Sequence, residues 1–267
     1  MKNLLILIFF LVLLSPFLTS CQKNFDIDIE RISNLKNHKV KNVESLVLNN
    51  KKNLNIFLGN ADEIIVNEIK IKHPGEYDFS NKILTYSGRE KRCGKSTKGF
   101  SSFIKIGQKW FFGQGKITIK NLTIRRSAPD GIEIRQTANV KFVNLKILHS
   151  CDEGIQVRSH AKIELLDSKI ISQYNKAIQF GDNNNAIISN STIISEQAFS
   201  LTRENLNIKV SESTIRKHPS ARSGRLITGD NCKNINIDLV NTKTIGLGEF
   251  VGTKNCTNIV INKKKYR

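Results

Sequence analysis

The sequence predicts an all-β fold, a single-stranded right-handed parallel β-helix with rungs of about 23–25 residues. Three observations predict it. The first is a fixed period. Ile132-Glu133-Ile134, Ile155-Gln156-Val157 and Ile178-Gln179-Phe180 follow one another at intervals of 23 residues. The same register puts Leu201 next at 23, then Leu226 and Val251 at 25 each. The second is agreement between columns: Ile147, Ile170 and Ile193; Asn144, Asp167 and Asn190; Gly131, Gly154, Ala177 and Ser200. The third is the make-up of each rung. Its segments are short, β-branched and often alternating, as in Lys116-Ile117-Thr118-Ile119, and turn residues separate them. An antiparallel sandwich or barrel is the competing architecture. A register kept over several turns favours the stack.

Taken in order, residues 1–20 read as an export signal. Met1-Lys2 gives a basic start, Leu4 to Leu14 an apolar core, and Leu18-Thr19-Ser20-Cys21 a small-residue site. That last stretch resembles the lipobox of bacterial lipoproteins. The resemblance implies lipidation at Cys21 and, with Gln22 following, anchoring at the outer membrane or cell surface. The apolar run is short for a membrane-spanning helix. Residues 21–58 are rich in Lys and Asn and are expected to be a polar tether, with one short element near Leu46-Val47-Leu48. The β-helix domain is expected over 59–267, with a solvated tail from Lys263 to Arg267.

The net charge is +19, which favours polyanions: nucleic acid, acidic lipid or acidic polysaccharide. Aromatic residues make up only 7%, and no nucleic-acid motif is present, so nucleic acid is set aside. Export implies an oxidising compartment for Cys93, Cys151, Cys232 and Cys256. Cys232 and Cys256 are 24 residues apart, about one rung, and should stack. Cys93 with Cys151 is then the remaining pair. No Cys-x-x-Cys or nearby His pattern suggests a thiolate metal site. His149 and His218 are expected at the surface. The chain is expected to be a monomer.

The period also gathers charge. Asp130, Glu153 and Lys176 are spaced by 23, and Asp152 adjoins Glu153. Equivalent residues on adjacent rungs lie about 4.8 Å apart. Three carboxylates therefore cluster at one strand edge with a lysine one rung on. Clustered carboxylates repel and raise one another's pKa unless a cation binds. A hard cation such as calcium takes such oxygen ligands. A salt-bridge column on a solvated face is the bland alternative.

Three segments carry a family resemblance: Pro129-Asp130-Gly131-Ile132, Ser150-Cys151-Asp152-Glu153-Gly154 and Asn175-Lys176-Ala177-Ile178-Gln179-Phe180. Together, in order and on consecutive rungs, they resemble the pectate lyases of polysaccharide lyase family 3. The likeness covers roughly residues 64 to 250. It implies a parallel β-helix that cleaves polygalacturonate by β-elimination with calcium. Carried over, the metal ligands are Asp130, Asp152 and Glu153, and the catalytic lysine is Lys176. The acidic pair reads Asp-Glu where the family usually reads Glu-Asp. Arg203 matches an arginine of a later family motif, but Ser200 replaces that motif's lysine. A strict period of 23 would also turn Arg203 inward below Phe180.

A second basic group follows, from Lys217-His218-Pro219 to Arg222 and Arg225. Arg222 and Arg225 are candidate binders of substrate carboxylates, since a planar guanidinium suits bidentate contact. The outward residues Glu133, Gln156, Gln179 and Thr202 form a polar column, with Gln156 and Gln179 as candidate substrate contacts. Two competing functions remain: a non-catalytic β-helix lipoprotein binding acidic glycans, and a lyase for another uronic-acid polymer.

Overall fold

The computed structural model describes residues 38–88, 102–107, 115–127, 130–172, 175–248 and 252–265. They form a parallel β-helix. Each rung crosses three ladders in turn, as in Lys146–Ser150, Ile155–Val157 and Lys162–Leu166. Every pairing between rungs is parallel. The first and second ladders join into one sheet because the long strand Glu63–Ile71 serves both. Its first half pairs with Ile83–Tyr86 and its second half with Ile104–Ile106.

The sequence folds this way because each ladder sends one apolar column inward. Ile132, Ile155, Ile178, Phe199 and Ile227 stack with 0% exposure. Burial of each such side chain contributes about 1.5–3 kcal/mol, and only the neighbouring rungs supply the cover. The turn from third to first ladder takes two residues. Its first residue is left-handed: Asn121, Asn144, Asp167, Asn190 and Asn241 have φ of 47–56°. Asparagine and aspartate tolerate that region. Their side chains also bond along the column: Asn144 Nδ2 donates to Asn121 Oδ1 at 2.9 Å and Asn190 Nδ2 to Asp167 Oδ1 at 2.6 Å.

Two expectations need correction. The tether does not reach residue 58. Val40–Leu48 is a strand paired with Glu63–Ile71, and Lys51–Leu58 is a helix. Asn50 caps that helix by accepting from Asn53 N at 2.9 Å. Leu54, Phe57 and Leu58 are buried against the first rungs, so this polar stretch closes the core's N-terminal end. The apolar residues there are few, but they fall on one helical face.

The register beyond Phe180 also differs. Phe199, not Leu201, stacks on Ile178, because Lys176 pairs with Gln197 at a separation of 21. The next rung pairs Phe199 with Ile227 rather than Leu201 with Leu226. The small-residue column therefore passes from Ala177 to Ala198, not Ser200. The cause is turn length. Glu196 alone separates Thr192–Ser195 from Gln197–Leu201, whereas 218–224 separate Thr214–Lys217 from Arg225–Asp230. A slip of two residues keeps every side chain on its face, so hydrophobic alternation does not distinguish 21 from 23.

The signal segment and Cys21 lie outside the described residues, as do Cys93 and Val251. No helix among the described residues is long and apolar enough to cross a membrane.

Candidate functional site

The site is built on the turns that enter the second ladder. Backbone bonds Phe103 N to Asp130 O, Gly131 N to Glu153 O and Gly154 N to Lys176 O set the register. They place Ser102, Asp130, Glu153 and Lys176 in one column, which continues through Gln197 to Arg225. Glycine follows the acid on two rungs for lack of room. A Cβ on Gly131 would lie 2.4 Å from Gly154 O, and one on Gly154 would lie 2.7 Å from Ala177 O.

Serines from the first ladder hold the acidic turns from inside. Ser150 Oγ donates to Glu153 O at 2.7 Å, and Ser172 Oγ donates to Asp152 O at 2.8 Å. Both serines are fully buried. The turn backbone therefore meets its hydrogen-bonding needs within the core wall and aims the carboxylates outward.

Asp130, Asp152 and Glu153 each offer an oxygen, and these oxygens lie within 4.8 Å of one another. Lys176 Nζ donates to Glu153 Oε1 at 2.9 Å. Asn175 donates to Asp152, and Ser102 Oγ donates to Asp130 Oδ2 at 3.3 Å. Ser102 also reaches Glu133 Oε2 at 3.5 Å, which brings a fourth carboxylate to the rim. Glu133 in turn pairs with Arg158 at 3.0 Å.

The electrostatics follow from crowding and burial. Burial pushes the Asp130 carboxyl up to about 8, and its neighbours Glu153 and Asp152 add to the shift. Burial also raises Asp152, with Glu153 adding to it and Asn175 opposing. For Glu153, burial again works upward, but the hydrogen bond from Asp130 and the charge of Lys176 outweigh it. Glu153 therefore titrates below its ordinary value. Crowding thus drives the two apart, Asp130 upward and Glu153 downward. Crowded carboxylates of this kind form the all-oxygen donor set of a hard divalent cation.

Arg203 is elsewhere. It follows the strand Gln197–Leu201, in the turn toward the third ladder. From Gln197, which pairs with Lys176, it is six residues on and two past the strand's end. Its side chain is 68% exposed and pairs with Asp182 at 3.3 Å. The shortened rung is the reason. With Leu201 on Phe180, Arg203 falls beyond the strand end, neither inward nor beside Lys176.

Gln156 and Gln179 stack on the outer face of the second ladder beside Glu133, as expected, but Ser200 and not Thr202 continues that column. Arg222 and Arg225 are exposed. Arg225 shares the lysine's column, two rungs on. His218 is not at the surface. It is 3% exposed, and burial, with His149 and Arg216 nearby, lowers its pKa to about 4. Cys232 and Cys256 form a disulfide between adjacent rungs. Cys151 is disulfide-bonded as well, and its expected partner Cys93 lies outside the described residues.

Sequence reasoning missed Ser102, Asn175 and the inner serines. Asn175 stands one 23-residue period after Asp152, so the period could have found it. Ser102 precedes Asp130 by 28 residues, across a longer rung that no period reveals.

Residues 110–262, more than half of the chain, match the family model described as right handed beta helix region. No curated protein and no solved structure matches the chain.

Proposed function

The chain belongs to the right-handed β-helix family, which includes polysaccharide lyases and hydrolases, and on that premise we propose that it is a calcium-dependent lyase. Its substrate is a uronic-acid polysaccharide, polygalacturonate first. The observation that carries this reading is one constellation: three carboxylates with oxygens within 4.8 Å and Lys176 Nζ 2.9 Å from one of them.

Asp130, Asp152 and Glu153 would hold the calcium, with Ser102 and Asn175 orienting two of the three. Calcium bound there supplies positive charge to the substrate's C6 carboxylate, where negative charge builds as the neighbouring C5 proton leaves. Lys176, in its neutral form, takes that proton. The C5–H electron pair becomes the C4–C5 double bond, the C4–O bond breaks, and the leaving oxygen gains a proton from water. Gln156 and Gln179 offer amide groups to sugar hydroxyls on the adjoining face.

A second reading has one observation behind it. With Arg203 in the turn past Leu201 and paired with Asp182, Lys176 is the basic side chain that the described residues place on the cluster. A site with a single base suits a glycan-binding module as well. Export and lipid anchoring at Cys21 belong to the proposal in either case. Loss of lipid label and membrane association in Cys21→Ser would support them.

The test is the ultraviolet absorbance of the unsaturated product. The protein is incubated with polygalacturonate and calcium at mildly alkaline pH, with EDTA and Lys176→Ala as controls. A rise abolished by both supports the lyase. No rise from a folded, calcium-bound protein on any of several uronate polymers leaves the binding module.

A further inference from the structure

The column of the site does not stop at Lys176. It runs on through Gln197 to Arg225, each one rung further. The turn lengths around it are uneven. Residues 151–154 make the acidic turn, Glu196 alone makes the turn at Gln197, and 218–224 make the turn before Arg225. The one-residue turn thus lies between the lysine's rung and the seven-residue loop 218–224. The loop is a fixed wall. His218 is buried at its start and its Nδ1 accepts from Ser220 N at 3.2 Å, with Ser220 Oγ at 2.7 Å. Arg225 N donates to Glu196 O at 2.8 Å, and Ser223 Oγ donates to Glu196 Oε1 at 3.4 Å, so the loop also occupies the one acid on the floor. Thr228 Oγ1 donates to Gln197 Oε1 at 2.8 Å, which leaves the Gln197 amide nitrogen as a donor. Arg222 and Arg225 are exposed, and no ion pair among the described residues engages either.

We propose that the surface over Glu196 and Gln197 is a second subsite, in which Arg225 binds the carboxylate of a uronate unit next along the polymer. The proposal rests on the polyuronate reading of the acidic site. It adds a direction: the chain lies along the stack axis, from the carboxylate cluster past Lys176 toward the 218–224 loop. Two rungs span about 10 Å. A pyranose unit is about as long as one rung, so the carboxylate that Arg225 meets belongs to a unit one or two places from the reacting one. A guanidinium suits that carboxylate because it binds both oxygens at once.

The binding test uses an inactive background, so it does not depend on turnover. Lys176→Ala is run through gels containing polygalacturonate, beside the doubles Lys176→Ala/Arg225→Gln and Lys176→Ala/Arg225→Lys. Retardation of Lys176→Ala, an affinity loss of about tenfold on adding Arg225→Gln, and partial recovery with Arg225→Lys are expected. A fully methyl-esterified polymer should show no dependence on Arg225. In the active protein, Arg225→Gln should raise KM about tenfold with kcat changed less than about twofold. Equal retardation with and without Arg225→Gln, or none of the Lys176→Ala protein, overturns the subsite. The two proposals separate cleanly. Lys176-dependent product with KM insensitive to Arg225 removes the subsite and keeps the lyase. Arg225-dependent retardation with no product on any polymer keeps the subsite and removes the lyase.

Discussion

Lys176 Nζ lies 2.9 Å from Glu153 Oε1, one rung away in the same column. The contact holds the lysine beside the carboxylate cluster, and under the proposed function it makes Glu153 the link between cation and base. Lys176→Ala should lower elimination by about 10²-fold or more, as for loss of a general base, while leaving calcium affinity largely intact. Glu153→Gln keeps the shape and removes the charge, and should weaken calcium at least tenfold. Calorimetric titration alongside the absorbance assay separates the two effects. Equal loss of calcium binding in both variants would mean that Lys176 acts on the cluster and not on substrate.

Proton linkage gives a second prediction. Asp130 keeps its proton up to a pH of about 8, against an ordinary value of 3.8. Between those values the folded, metal-free protein binds more protons than the unfolded chain, so its stability falls as pH rises across that window. Asp152 is raised and acts in the same sense. Glu153 is lowered and contributes in the opposite sense, its stabilisation being lost as pH falls through its folded value. Urea midpoints in EDTA should therefore be lower at pH 8 than at pH 5. Calcium must displace the Asp130 proton, so binding at pH 6 should release about one proton and binding above pH 9 almost none. Calorimetry in buffers of different ionisation enthalpy reads that number. Elimination should accordingly be faster at alkaline than at acidic pH.

Gly154 is tested by adding one methyl group. Its Cβ would stand 2.7 Å from Ala177 O and 2.7 Å from Ile170 Cγ2. Gly154→Ala should cost about 1–3 kcal/mol by overpacking. It should also weaken calcium, because the shift falls between Glu153 and the next rung. Urea denaturation and calcium titration would show both; an unchanged calcium affinity would uncouple this contact from the site.

Arg203 offers the opposite test. It sits in the far turn, 68% exposed and paired with Asp182. Exposed pairs contribute about 0–1 kcal/mol, so Arg203→Ala should leave stability and elimination rate within about twofold of the parent. A large loss of kcat would place the arginine back in the chemistry and contradict the register between Leu201 and Phe180.

The correction at Arg203 and the agreement at Glu153 have a common origin. Where turns keep their length, the period carries a residue to its place in space: Asp130, Glu153 and Lys176 are spaced by 23 and stand in one column. Where turn length changes, alternation alone does not report it, because a two-residue slip leaves the apolar face intact. Phe199 and Leu201 are equally good partners for the column by pattern, and only packing chose Phe199 for Ile178. The helix Lys51–Leu58 was hidden for another reason. Three buried residues, Leu54, Phe57 and Leu58, suffice to close the core's end, too few to stand out in a polar stretch.

The repeating rung, the apolar columns and the acidic turn were legible in the residues alone, since each depends on neighbours one period away. Packing settled the rest. It turned Arg203 away, brought Arg225 into the lysine's column, buried His218 under the long loop and set Ser102 against Asp130. Each of these depends on how many residues a particular turn spends between strands, and that count is fixed only when the rungs pack and the turn backbones find their partners.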